Sequence, residues 1–275
     1  MANELILKVE NLTISYPAGD SHKTVVNEVS FEIPKGGWVC LVGESGSGKT
    51  QTALALTRLL NGAQVSGSVL WYDEAPEPHN ILRFSPDALR ELRGSSVSYI
   101  FQNPSASLNP VMKIGEQMLE TYLAHFNSSL HEAEKASLVS LAEAHLPEPK
   151  KVFNQYPHQL SGGMKQRVMI AMALMTGPKL LIADEPTSSL DVTIEKGIID
   201  SLTDIHNEWK LSYLLITHHI GLALRTADRI YVMKDGRILE RMDRSKEGFS
   251  PKENYTQKLL NAGLEKVKPK TMLEV

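Results

Sequence analysis

Cysteine is nearly missing from this 275-residue chain: only Cys40 is present. That excludes an intrachain disulfide and a cysteine-held iron–sulfur cluster. Cys40 lies in the apolar run Trp38-Val39-Cys40-Leu41-Val42, which predicts a buried core thiol, and a reducing compartment is expected. A basic excess is also lacking. Lys and Arg number 29 against 32 Asp and Glu, for a formal net charge of −3, so no face is predicted that would neutralise nucleic-acid phosphates. The segments richest in Lys and Arg, residues 225–244 and the tail from Lys258, carry acids too and read as solvated faces. The first ten residues hold Glu4 and Glu10 and no basic n-region, so no signal peptide is expected. No apolar run approaches the roughly 18 residues of a membrane span. Work at a membrane would therefore require docking on another chain.

What is present is an alternation of strand and helix patterns. Hydrophobic residues make up 42% of the chain, enough for a sizeable core in one large domain or two small ones. Residues 5–16 and 25–33 alternate apolar and polar positions as half-buried strands do, with Pro17-Ala18-Gly19-Asp20 as a turn. Residues 38–42 form a short apolar run, the mark of a strand buried on both faces. A glycine-rich loop and a helical run over 50–60 follow. Further strands are predicted at 69–72, 97–101, 180–183 and 213–217, and helices at 112–126, 130–145 and from 164, after the run 160–163, to 176. Lys234-Asp235-Gly236 signals a hairpin turn between strands 230–233 and 237–240. The tail from Ser245 is polar, with a short helix predicted at 255–260. This order argues for an α/β fold around a mostly parallel sheet, with the helical stretch between Pro104 and Pro157 as a second lobe.

Two motifs carry chemistry. Gly43-Glu44-Ser45-Gly46-Ser47-Gly48-Lys49-Thr50 matches G-x-x-x-x-G-K-[ST], after a buried strand and at the start of a helix. Its glycines let successive N–H groups turn toward phosphate oxygens, and the helix N-terminus adds partial positive charge. Lys49 is expected to reach the β- and γ-phosphates of ATP, and Thr50 to offer its hydroxyl to Mg²⁺. The loop alone says only nucleotide phosphate, since kinases, GTPases and many ATPases share it. The second motif is an apolar strand ending in Asp184-Glu185-Pro186. At the carboxyl end of a strand in an open α/β sheet, Asp184 is expected on the Mg²⁺ side. Glu185 is expected to orient or deprotonate the attacking water.

Leu160-Ser161-Gly162-Gly163 with Gln166-Arg167 resembles the signature motif of ABC (ATP-binding cassette) proteins, 18 positions before Lys179. The resemblance implies a P-loop NTPase (RecA-like) core with a mostly parallel sheet, an N-terminal antiparallel β subdomain and an inserted α-helical subdomain. It also implies that Ser161, Gly162 and Gly163 face the phosphate loop of a partner subunit. As physics, a Ser hydroxyl, Gly amides and a helix dipole make an anion site. The resemblance runs along nearly the whole chain. It implies adenine stacking for Tyr16 and nucleotide contacts from Gln51. Gln102 is implied to reach Mg²⁺ and the attacking water and to link to the helical lobe. Ser188-Ser189-Leu190-Asp191 is similar to the loop that contacts the opposite subunit, and His218 to the switch histidine at the γ-phosphate. Where the family has Asp after that histidine, this chain has His219; where similar importers show His-Pro before Tyr-Thr, it has Glu253-Asn254-Tyr255-Thr256.

Phe101-Gln102-Asn103-Pro104, Leu108-Asn109-Pro110, Tyr156-Pro157-His158-Gln159, Met164 and Ile170-Ala171-Met172-Ala173-Leu174 resemble the branch importing oligopeptides, dipeptides and nickel complexes. The resemblance thus implies an ATPase motor on the cytoplasmic face of the inner membrane. Its partners would be a second ATPase subunit, two permease subunits and an extracytoplasmic solute-binding protein. An ATPase domain is expected over residues 1–245, its helical part at about 104–160, with a tail at 246–275. An exporter motor or a soluble ABC ATPase is the alternative. The gap of 112 positions from Lys49 to Ser161, broken by prolines, disfavours the coiled-coil chromosome type.

Overall fold

The computed structural model describes residues 4–72, 77–188 and 191–267. Ser189 and Leu190 of the predicted subunit-contacting loop, and the tail from residue 268, lie outside the described residues. The chain divides into two compact units, one combining residues up to Leu82 with those from Leu214 onward, the other spanning Arg83–Tyr213.

The first unit opens with β1 (Leu5–Ala18) and β2 (Ser21–Pro34), an antiparallel hairpin turning at Gly19-Asp20. Both strands run past the predicted boundaries, so Pro17 sits inside β1 rather than in the turn. Strand β1 buries Leu7 and Val9, then Leu12 and Ile14. The change of parity is possible because the register slips between Val9 and Leu12, where Asn11 adopts φ +51°. A bulge thus keeps both halves of the apolar set on one face. Next come β3 (Trp38–Val42), α1 (Lys49–Leu56), β4 (Gln64–Trp71) and the short β5 (His79–Asn80). The order β2-β1-β4-β5 makes an antiparallel sheet.

In the second unit, α2 (Pro86–Ser95) was not predicted, although Ser85 caps it through Ala88 N–H and Pro86 stands at its first turn. Strand β6 (Val97–Ile100) precedes α3 (Pro104–Ser107), α4 (Ile114–Leu123), α5 (Leu130–Glu143), α6 (Pro149–Phe153) and α7 (Gly162–Leu174). Helix α5 starts on a reciprocal capping box between Ser129 and Glu132. Strand β7 (Leu180–Asp184) pairs parallel with β6, and α8 (Val192–Trp209) follows. Helix α7 buries Val168, Met169, Ile170, Ala171 and Leu174, so it is packed on most of its circumference. That leaves Met172 and Met175 half-buried.

The unit boundary falls within β8 (Ser212–Thr217), after which α9 (Ile220–Thr226), β9 (Arg229–Lys234), β10 (Arg237–Asp243) and α10 (Asn254–Val267) complete the first unit. Strand β9 pairs parallel with β3 and antiparallel with β10. The turn between β9 and β10 has φ +47° at Asp235 and +77° at Gly236, the two left-handed positions of a type I′ hairpin. Helix α10 is longer than predicted. Its start is pinned by the Glu240 carboxylate on β10, which accepts from the N–H groups of Lys252 at 2.6 Å and Glu253 at 3.3 Å. The fold class is α/β, with a mostly parallel sheet, an antiparallel sheet and helices. Among the described residues no helix is long and apolar enough to cross a membrane.

Candidate functional site

In the first unit, β3 is buried at every residue and delivers the chain into the loop at Gly43. A Cβ on Gly43 would lie 2.1 Å from the Met233 carbonyl oxygen, so only glycine lets the loop pass β9. Gly48 caps α1 at φ +101°, a backbone conformation that L side chains rarely adopt. Lys49 is 5% exposed, and its ammonium donates to Gly43 O at 2.9 Å, Glu44 O at 2.8 Å and Ser47 Oγ at 3.3 Å. The loop therefore wraps a cation while the first turn of α1 carries no side-chain cap. Glu44, Ser45, Gly46 and Thr50 are exposed around it. A glycine-rich loop around a buried ammonium at an uncapped helix start suits a polyphosphate.

Beside the loop, the Tyr16 hydroxyl donates to Gln51 Oε1 at 2.5 Å, which ties β1 to the first turn of α1. His218 is exposed between β8 and α9. His219 stands at the N-cap of α9 with no side-chain cap bond, and its N–H donates to Thr217 Oγ1 at 2.9 Å.

In the second unit, Asp184 ends β7 and is 3% exposed. The Tyr99 hydroxyl donates to Asp184 Oδ2 at 3.1 Å. Burial, and then the Asp184 charge, push the Tyr99 phenol above its ordinary range, so it stays a donor. The residue after Asp184 turns sharply: Glu185 adopts φ +44°, a conformation that costs a non-glycine residue roughly 1–3 kcal/mol. Gln102, just beyond β6, donates from Nε2 to Glu185 Oε2 at 3.1 Å. Parallel pairing of β6 and β7 brings both contacts about. Tyr99 lies opposite Ile182, and Ile182 and Asp184 share a face because side chains alternate with period two. The hydroxyl then reaches two residues further along β7, to Asp184. The sequence reading treated Tyr99 only as part of a strand; its signal was the phase shared with Asp184, which needs the strand register to be seen. The carboxylate of Asp184 and the amide oxygen of Gln102 are hard oxygen donors, the kind Mg²⁺ accepts.

Ser161 caps α7, its Oγ accepting from Met164 N–H at 3.3 Å. Gly162 is exposed, whereas Gly163 is buried against α8: a Cβ there would lie 2.7 Å from Ile194 Cγ2. The second glycine thus has a packing reason. Asp191 caps α8, accepting from Thr193 N–H at 3.1 Å and Ile194 N–H at 2.9 Å. The two helix starts are thereby joined through Ile194.

The sequence model of the family described as ABC transporter matches residues 26–188. The oligopeptide transport ATP-binding protein OppD of Escherichia coli (strain K12) is 40% identical over 261 residues, covering 94% of this chain and 76% of that protein. OppD of Haemophilus influenzae is 42% identical, covering 94% and 78%. The glutathione import ATP-binding protein GsiA of Shigella boydii is 40% identical over 94% of this chain but 42% of its own length. A solved dimeric ATP-binding cassette, in a post-hydrolysis state bound to ADP and Pi, shares the fold with TM-score 0.75 at 29% identity, over 86% of this chain and 98% of that one. Phosphate loop, acid-tipped strand and signature turn all sit within reach of these matches, and this chain belongs to the ABC transporter family as one of its ATP-binding, ATP-hydrolysing cassettes.

Proposed function

We propose that this cassette drives an importer for peptides from the cytoplasmic face of the inner membrane. Two permease subunits would hold it there, and an extracytoplasmic solute-binding protein would deliver the cargo. The observation that carries this reading is the 40% identity, across 94% of the chain, to a protein named for oligopeptide transport. Glutathione, named for another relative, is itself a small peptide. Peptides are therefore favoured over the nickel complexes also expected from sequence.

In the mechanism, residues 43–51 hold the triphosphate and Tyr16 stacks on the adenine. Lys49 exchanges loop carbonyls for β- and γ-phosphate oxygens. Thr50, Asp184 and Gln102 are the residues that would hold Mg²⁺, which when bound supplies charge neutralisation at those phosphates. Glu185 takes a proton from the attacking water, Gln102 fixes the direction of its carboxylate, and His218 steadies the γ-phosphate. A second cassette, identical or different, presents its Ser161, Gly162, Gly163 and Asp191 equivalents to this nucleotide, and this chain returns the contact. Closure of the pair excludes water. The ATPase domain is assigned to residues 1–245, with the helical part near 104–160 passing motion to the permease and a tail at 246–275.

The test is Glu185→Gln in the assembled transporter. ATP binding should persist while turnover falls at least about a hundredfold; undiminished turnover would remove Glu185 from the role. Tagged chain drawn from native membranes should bring down two permeases and a peptide-binding protein. Recovery with soluble partners alone would overturn the importer reading.

A further inference from the structure

Helix α10 in the tail lies against the same hairpin that floors the phosphate loop. Lys234 ends β9, directly after Met233, whose carbonyl is the atom that forbids a side chain at Gly43. Gly236 in the following turn donates to Ser47 O at 3.1 Å. The Lys234 ammonium sits 4.8 Å from the ring centroid of Tyr255, on the first turn of α10, a cation–π distance. The helix is anchored beside this contact by Glu240, and by Thr256 and Leu260, which are 0% and 8% exposed.

The Tyr255 ring is half-buried, yet its hydroxyl oxygen is buried and makes no hydrogen bond of good geometry. What it faces is Glu44. Burial pushes the phenol's pKa up from its ordinary value, the Glu44 main chain acts in the opposite sense, as a donor does, and the Glu44 carboxylate pushes it up again. The peptide joining Gly43 to Glu44 is trans, so its carbonyl and its N–H point to opposite sides. The carbonyl of Gly43 accepts from Lys49. The N–H of Glu44 therefore points away from Lys49, the side from which a hydroxyl would support it.

We propose that Tyr255 is a positioning residue for the phosphate loop: α10 holds its ring on Lys234 and its hydroxyl behind the Gly43–Glu44 peptide, so the C-terminal segment sets how tightly the loop grips a nucleotide triphosphate. This rests on the reading of residues 43–50 as the nucleotide loop. It also gives the Tyr-Thr pair at 255–256 a task in this chain that does not need the residues at 253 and 254.

The test measures equilibrium affinity for ATP and ADP on the full-length chain, with thermal unfolding alongside, and the split of KM against kcat where turnover is followed. Tyr255→Ala should weaken ATP binding and raise KM at least about fivefold with kcat within about twofold, and Tyr255→Phe, which keeps the ring, should fall between it and the unaltered chain. Lys234→Met removes the cation and leaves the helix in place; it should shift KM the same way, and it decides the matter if Tyr255→Ala does not fold. Unchanged ATP affinity in Tyr255→Ala, or in Lys234→Met, overturns the proposal. So does a lowered melting temperature with affinity and KM unmoved. Lys49→Ala separates the two layers of argument. If it retains full ATP affinity, the loop reading itself falls; if it loses affinity while Tyr255→Ala does not, only the positioning role falls.

Discussion

Single residues in this chain are held in conformations or environments that their chemistry resists, and each such case can be tested. The buried carboxylate of Asp184 keeps one oxygen supplied by Tyr99. A hydrogen bond to a charged group is worth about 1.5–3 kcal/mol, and Tyr99→Phe removes it without changing shape. The expected result is a loss of about 1–2 kcal/mol in urea unfolding together with a higher Mg²⁺ concentration needed for half-saturated ATP binding. An unmoved metal titration would deny Tyr99 any part in orienting Asp184. Cys40 is the opposite case, a group kept silent. Burial pushes its thiol from 9.0 up to about 12, so the neutral form is the one the fold accommodates. Its share of stability is whole below pH 9 and is lost as pH rises through about 12. A thiol reagent at pH 8 should leave the native chain unlabelled and label it once in denaturant; rapid labelling of native protein would contradict the burial. Glu185 is legible as an acid from sequence, but its left-handed backbone is not, because nothing local calls for it.

Elements decide where those residues point. The phosphate loop was readable because its glycines are demanded by contacts one can name: Gly43 against Met233 and Gly48 at φ +101°. The signature turn was readable as a motif, while the reason for its second glycine lay in α8. Gly163→Ala would press a methyl to 2.7 Å from Ile194 Cγ2, an overpacking expected to cost about 1–3 kcal/mol. Because Ile194 is 37% exposed, Gly163→Ala combined with Ile194→Ala should recover most of that loss in a double-mutant cycle. Strict additivity of the two changes would show that the helices do not press on each other there. Helix α2 was missed although Ser85-Pro86-Asp87 is a start signal, since its apolar positions, Leu89 and Leu92, are too few to set a period.

At the scale of the whole molecule, one cassette presents both a phosphate loop and a signature turn. A solved relative is described as dimeric, and in the proposed mechanism the loop and the turn of one copy act on different nucleotides. Holding the hydrolytic step should therefore hold the pair together. Glu185→Gln with ATP is expected to sediment as a dimer, alone if the chain pairs with itself or with its natural partner cassette if it does not. The same variant with ADP should sediment as a monomer. A chain that stays monomeric with ATP, with the partner cassette present, would argue against a shared site.

Most of the order of strands and helices, the glycine-rich loop before α1 and the acid-tipped strand followed from sequence alone, because each rests on spacing within a few consecutive residues; α2 did not. Family membership was legible as a resemblance, carried by motifs in order along nearly the whole chain. The pairings Tyr99 with Asp184, Gly163 with Ile194 and Tyr255 with Glu44 did not follow. Their partners lie 85, 31 and 211 positions apart, and only strand register and helix packing bring such residues together.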